Sequence, residues 1–286
     1  MESIRQVARN LIEKQDYRTK DLPLVTNPFF VFGSIFGYLY IVRNGERWMK
    51  NREPFQLKQT IRAYNVFMML ANAYFLRIGL ANTYFGGGYS FFCQGIYGRN
   101  DENFLWAISV GWWYLLVRYL DFLDTFFFIL RKKFTHVSRL HVIHHTIVAF
   151  NGSFWYLYAP EGQPAAGLFV NAFIHVLMYG YYFLATFPAM RPYLWWKKHL
   201  TMLQIGQFIF FIAHMSIPLF YDCEFPHYLV HFAIAQTILI LSLFINFYIK
   251  AYVTQEQNNK RHPRVKLDVN GNVYELDNQV CSEKME

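Results

Sequence analysis

Apolar residues in this chain come in long blocks separated by short charged stretches, and within the blocks no polar face recurs at the helical period. A soluble amphipathic helix keeps a polar stripe toward water, whereas blocks apolar on all sides are expected where lipid is the solvent. The pattern predicts seven membrane-spanning helices, at roughly residues 27–43, 62–85, 106–130, 140–158, 165–187, 200–220 and 228–252. The expected fold is an all-α integral membrane protein with an N-terminal segment 1–26, a seven-helix domain 27–252 and a flexible tail 253–286. The residues before Pro28 mix charges without a compact apolar region and small-residue cleavage site, so the first block is expected to be retained rather than cleaved as a signal peptide.

Composition agrees: 54% of the 286 residues are hydrophobic, 20% aromatic and 16% charged, too apolar for an ordinary soluble domain. The net charge of +8 would suggest a nucleic-acid partner if the basic residues formed one stripe, but they alternate from loop to loop. Arg43 to Arg62 holds six Lys/Arg, Arg131 to Arg139 four, the stretch with Arg191, Lys197 and Lys198 three, and the tail from Lys250 six. Residues 86–105 hold only Arg99, and 159–164 and 221–227 none. The positive-inside rule therefore places the basic loops and the tail in the cytosol, with the N-terminus across the membrane and a lipid bilayer, not nucleic acid, as the partner. Cys93 and Cys223 fall in two non-cytosolic loops and Cys281 in the tail, which predicts a Cys93–Cys223 disulfide; two unpaired thiols are the alternative.

Polar side chains inside the blocks are costly in lipid and are the candidates for function. On the third block Arg118, Asp121 and Thr125 follow i, i+3, i+7 spacing with Asp124 beside them, and a buried ion pair that only fixes packing is the bland reading. On the fourth, His141, His144 and His145 put three imidazoles on one helix face, which requires shared partners, a metal or chemistry. The fifth carries Asn171, His175, Met178, Tyr179, Tyr181 and Tyr182; an interfacial aromatic belt explains the tyrosines better than Asn171 and His175. Thr201, Gln204 and Gln207 open the sixth, and Tyr64 and Asn65 the second, with interhelical hydrogen bonding as their simplest role. Most of these groups fall in the cytosolic half, which describes a pocket more than packing.

These motifs resemble those of the very-long-chain fatty acid elongases, the membrane 3-ketoacyl-CoA synthases, in their animal form. Leu140, His141, His144 and His145 match the family's Leu-His-x-x-His-His; Asn171, His175, Met178, Tyr179, Tyr181 and Tyr182 match its Asn-x-x-x-His-x-x-Met-Tyr-x-Tyr-Tyr; Thr201, Gln204 and Gln207 match its Thr-x-x-Gln-x-x-Gln. Its usual Lys-x-x-Glu-x-x-Asp-Thr departs to Arg118, Asp121, Asp124 and Thr125, and its common Ser before the last Tyr pair is Gly180. The resemblance implies a barrel of the second to seventh helices around an acyl tunnel, residence in the endoplasmic reticulum, and condensation of acyl-CoA with malonyl-CoA. It implies no cofactor and no metal, with ketoreductase, dehydratase and enoyl reductase of the elongation cycle or a second copy of the chain as partners.

No cysteine falls near the polar cluster, so histidine must carry the acyl group or activate the donor. With the resemblance, His144 is expected as nucleophile, His175 as nearest helper, and His141 and His145 as orienting or proton-shuttling groups. Asn171, Tyr179, Tyr182, Gln204, Gln207, Asn65, Asp121, Asp124, Thr125 and Arg118 are expected to bind or support substrate. Lys132, Lys133, Lys197 and Lys198, with Arg131, are candidates for the CoA phosphates, although topology alone explains them equally well. Two other classes remain open: a di-iron hydroxylase or desaturase, disfavoured because His136, His175, His199, His214, His227, His231 and His262 are scattered singly, and a seven-helix receptor or transporter, disfavoured by the histidine cluster.

Overall fold

The computed structural model describes residues 13–24, 26–254 and 257, together with the backbone of 265–267 and 273–275. Eight helices run through the described residues: α1 (Pro28–Met49), α2 (Lys58–Asn82), α3 (Glu102–Leu120), α4 (Phe122–Leu130), α5 (Arg139–Tyr158), α6 (Pro164–Ala185), α7 (Lys197–Ser216) and α8 (His227–Tyr248). Local chemistry sets several starts. Asn27 accepts the Phe29 N–H just before Pro28 at the first turn of α1, Asp101 accepts the Phe104 N–H at α3, and Ser138 accepts the His141 N–H at α5.

Two expectations change. The third block is two helices, not one, because Asp121 takes ψ −21° and the chain tightens there, with Asp121 N–H bonding Arg118 O at 3.3 Å and Asp124 N–H bonding Asp121 O at 3.2 Å. The first helix runs to Met49, past the apolar block that ends near Val42, since helix geometry continues once the chain leaves lipid. In the tail, Val265–Leu267 pairs antiparallel with Val273–Glu275, Lys266 opposite Tyr274, the one strand pairing among the described residues.

Three helices are long and apolar enough to cross a membrane, over Pro164–Ala185, Lys197–Leu219 and His227–Val253. The others are diluted by polar groups: α2 carries Lys58, Arg62, Asn65, Asn72 and Arg77, α3 carries Arg118 in its last turn, and α5 holds Arg139 and the three histidines. Large apolar side chains nevertheless face outward on them too, including Phe36, Leu70 and Trp113, alongside Ile209 on α7. Helix α2 packs on α3 and α6, α6 on α7, α7 on α8, α8 on α5 and α5 on α3, while α1 lies against α4 and α5. Close approach is set by small residues: a Cβ on Gly79 would sit 2.1 Å from the Phe169 ring, and one on Gly167 1.9 Å from the Phe211 ring, so α2, α6 and α7 meet only because glycine stands there.

The connections gather at two ends. At one, Phe55 N–H bonds Leu130 O and Arg62 bonds Thr186, bringing together the basic loops. At the other, Cys93 and Cys223 form a disulfide across a sequence separation of 130, and the segment 13–24 docks on the end of α5 through Asp16 N–H to Leu157 O and Thr19 Oγ1 to Tyr156 O, both 2.7 Å. Arg18 there pairs with Asp16 and, at 2.7 Å, with buried Glu161. Burial alone would lower the Arg18 pKa, but its bonds to Asp16 and Glu161 outweigh that and raise it. Asp101 at the same end is likewise opposed: desolvation raises its pKa, and the hydrogen bonds from Arg99 and from the Phe104 N–H prevail and lower it. Gln163 ties the end together, accepting from Gln94 N–H at 2.7 Å and donating to His214 O at 2.7 Å.

Candidate active site

The break at Asp121 falls among buried polar groups, and Asp121 itself is buried. Tyr179 of α6, fully buried, lies with its hydroxyl 2.8 Å from Asp121 Oδ1 and 3.1 Å from Asp124 Oδ2. Tyr64 of α2 stands 3.4 Å from that hydroxyl and donates to Leu120 O at 3.2 Å, capping a carbonyl that the helix break exposes. Arg118 places Nη1 2.7 Å from His175 Nδ1 and 3.3 Å from Asp121 Oδ2, and Nη2 3.2 Å from Asn72 Oδ1. Residues of α2, α3, α4 and α6 thus meet in one buried network in which the guanidinium is neutralised by one carboxylate and held by an amide and an imidazole.

The three histidines of α5 occupy its first two turns because Ser138 starts the helix three residues before His141. His141 Nε2 lies 2.7 Å from Thr125 Oγ1, which also meets the Tyr38 hydroxyl at 3.1 Å. The His141 and His145 rings are 4.3 Å apart and those of His144 and His145 5.4 Å, while His144 meets the edge of Phe244 on α8 at 5.8 Å. His144 makes no side-chain hydrogen bond among the described residues, and it interacts electrostatically with both His175 and Arg118. Among the described residues no three His, Cys, Asp or Glu side chains gather as metal ligands.

Other candidates sit around this centre. Asn171 donates to Gln207 at 3.4 Å and Gln204 to Met178 Sδ at 3.5 Å, so both glutamines of α7 engage α6. Asn65 is buried on α2; Tyr182 is 40% exposed, with its ring 6.0 Å from that of Tyr179. Lys132 donates to Lys50 O at 3.4 Å, and Lys198 stands 6.0 Å above the Tyr248 ring. Lys133 and Lys197 are half-buried at the same end. Cys93 and Cys223 are joined at the opposite end, and Cys281 lies outside the described residues.

Two contributors escaped the sequence reading. Asn72 is fully buried and organises Arg118, yet it carried the same signal as Asn171, an amide in the middle of an apolar block. Tyr38 had no such signal, because a tyrosine on a helix expected to pack outside the others reads as lipid-facing. Its ring stacks on Phe122 at 4.3 Å and its hydroxyl completes the Thr125–His141 chain.

A helical membrane protein with a buried histidine, arginine and carboxylate centre is the class that fold and site define. Comparison with known proteins narrows it: residues 23–260 match the family model described as ELO: GNS1/SUR4 family, and the chain belongs to that family. It is 40% identical over 247 residues to very long chain fatty acid elongase 4 of Mus musculus, covering 85% of this chain and 78% of the relative. It is 37% identical over 296 residues to very long chain fatty acid elongase 5 of Rattus norvegicus, covering 99% and 97%, and 34% identical over 273 residues to elongase 7 of Drosophila melanogaster, covering 94% and 82%. It is accordingly a multi-pass membrane protein of fatty acid elongation.

Proposed function

We propose that this chain is the condensing enzyme of fatty acid elongation, a 3-oxoacyl-CoA synthase that joins long-chain acyl-CoA to malonyl-CoA with loss of CO2. The observation that carries the reading is family membership placed on a site whose nucleophile candidates are imidazoles, with both described cysteines tied in a disulfide at the other end. The acyl chain would occupy a tunnel inside a barrel of α2, α3 with α4, and α5 to α8, seven spans in all with α1 outside; the cyclic order of helix neighbours supports this. The basic-loop end would face the cytosol and the cysteine end the lumen of the endoplasmic reticulum, which the separation of basic and cysteine-bearing connections supports.

In the first half-reaction an unprotonated nitrogen of His144 attacks the acyl carbonyl carbon, the C–S bond breaks, and the proton on the other ring nitrogen leaves to give CoA as a thiol and a neutral acyl-imidazole. In the second, malonyl-CoA loses CO2, and the enolate carbon attacks the acyl carbon. The C–N bond breaks, and the ring takes up one proton from solvent. His175, Asn171 and Gln204 would hydrogen-bond the developing oxyanion, His141 and His145 would orient and shuttle protons, and Lys132, Lys133, Lys197 and Lys198 would meet the CoA phosphates. Tyr179, Asp121 and Asp124 would hold the α3–α4 break in shape. No cofactor enters this scheme. His144→Ala should abolish condensation in a purified assay while His144→Ala protein still melts cooperatively; near wild-type turnover would remove His144 from the nucleophile's role.

A further inference from the structure

Two imidazoles in one site can do different chemistry when their hydrogen bonds differ, because the bond made by one ring nitrogen sets which nitrogen carries the proton. His175 makes its one side-chain hydrogen bond among the described residues through Nδ1, to Arg118 Nη1 at 2.7 Å. A guanidinium has five N–H donors, no acceptor, and is never deprotonated in proteins. The His175 nitrogen facing it must therefore present its lone pair, and a neutral ring then carries its single proton on Nε2. We propose that Arg118 is a positioning residue that locks His175 as the Nε2–H tautomer, making it a hydrogen-bond donor to substrate oxygen rather than a second nucleophile.

The lock is itself oriented, so the donor direction is not arbitrary. Asn72 Nδ2 donates to Met68 O at 2.7 Å, which turns Asn72 Oδ1 toward the site. That oxygen accepts from the Tyr114 hydroxyl at 2.9 Å and from Arg118 Nη2 at 3.2 Å. The Tyr114 ring lies under the guanidinium at 4.7 Å, and Asp121, itself bonded by Tyr179, holds the Nη1 side. The groups bonded to or stacked on the Arg118 guanidinium are thus acceptors or a π face, and the planar fork reaches His175 and Asn72 together. His144, with no hydrogen bond on its ring, keeps a free lone pair. The two histidines differ in hydrogen bonding, and that difference divides the roles of nucleophile and oxyanion donor.

This inference rests on the condensing reading for its catalytic meaning, but its test does not need turnover. In full-length protein purified in detergent with 15N-labelled histidine, two-bond proton–nitrogen correlations distinguish the tautomers, and a His175→Gln spectrum assigns the ring. The expected wild-type pattern is Nε2–H across about pH 6 to 8. Arg118→Met should shift it to a mixture, with kcat falling about 100-fold or more while the KM for acyl-CoA changes little. Arg118→Lys, a donor without an acceptor, should restore the tautomer and most of the kcat. An Nδ1–H or doubly protonated His175 in the wild-type protein overturns the proposal whatever the activity, and remains decisive if Arg118→Met fails to fold. Absence of condensation by wild-type protein whose His175 is Nε2–H would instead sink the elongase reading and leave the lock standing.

Discussion

Removing one oxygen from Tyr179 is the sharpest probe of whether the α3–α4 break is held by hydrogen bonding. Tyr179→Phe keeps the ring packed and opens no cavity, but it withdraws the hydroxyl that stands 2.8 Å from Asp121 Oδ1 and 3.1 Å from Asp124 Oδ2. Hydrogen bonds to charged groups contribute about 1.5–3 kcal/mol, and a buried carboxylate left short of a donor adds to the loss, so a cost of about 2–4 kcal/mol is expected. For a chain of this size that corresponds to a fall in melting temperature of roughly 5–15 °C. Tyr64→Phe is the comparison: that hydroxyl lies 3.2 Å from the Leu120 carbonyl and 3.4 Å from Tyr179 and reaches Asp124 as a further partner, but it does not bridge the two carboxylates and should cost less, about 0.5–1.5 kcal/mol. Both variants and the parent would be melted in the same detergent at one scan rate. A Tyr179→Phe melt within 2 °C of the parent, or a larger fall for Tyr64→Phe, would refute the view that the carboxylate pair depends on this hydroxyl.

The Cys93–Cys223 bond closes a loop with a sequence separation of 130, for which restriction of the unfolded chain predicts a stabilisation of about 2–5 kcal/mol. Reductant should lower the parent's melting temperature to that of a Cys93→Ser, Cys223→Ser double variant and leave the variant unmoved; a variant that melts with the parent removes the disulfide from the stability account. Asp101 has a pKa lowered in the folded protein, so its stabilising contribution is complete above the unfolded value of about 3.9 and is lost as pH falls through the folded one. Asn caps a helix as well as Asp, so Asp101→Asn should fold normally and melt with a shallower dependence on pH between about 5 and 3. An unchanged slope would place the acid sensitivity elsewhere.

Sequence alone determined the helical blocks, the alternation of basic and bare loops, and the chemistry to look for, because lipid tolerates no irregular backbone and makes every intramembrane polar group conspicuous. His141, His144, His145, Asn171, His175 and Tyr179 were legible on that ground, and the spacing around them carried the family. Tertiary structure decided what one-dimensional spacing does not contain. The i, i+3 pair Arg118 and Asp121 read as a pair within one helix; its partners His175, Asn72 and Tyr179 come from two other helices, and the chain breaks at Asp121 itself. Tyr38 entered the site only because α1 packs against α4 and α5. A hydrophobic pattern reports which residues leave water, but hydrogen-bond direction is set by which donor meets which acceptor, and only three-dimensional packing brings Arg118 Nη1 to His175 Nδ1.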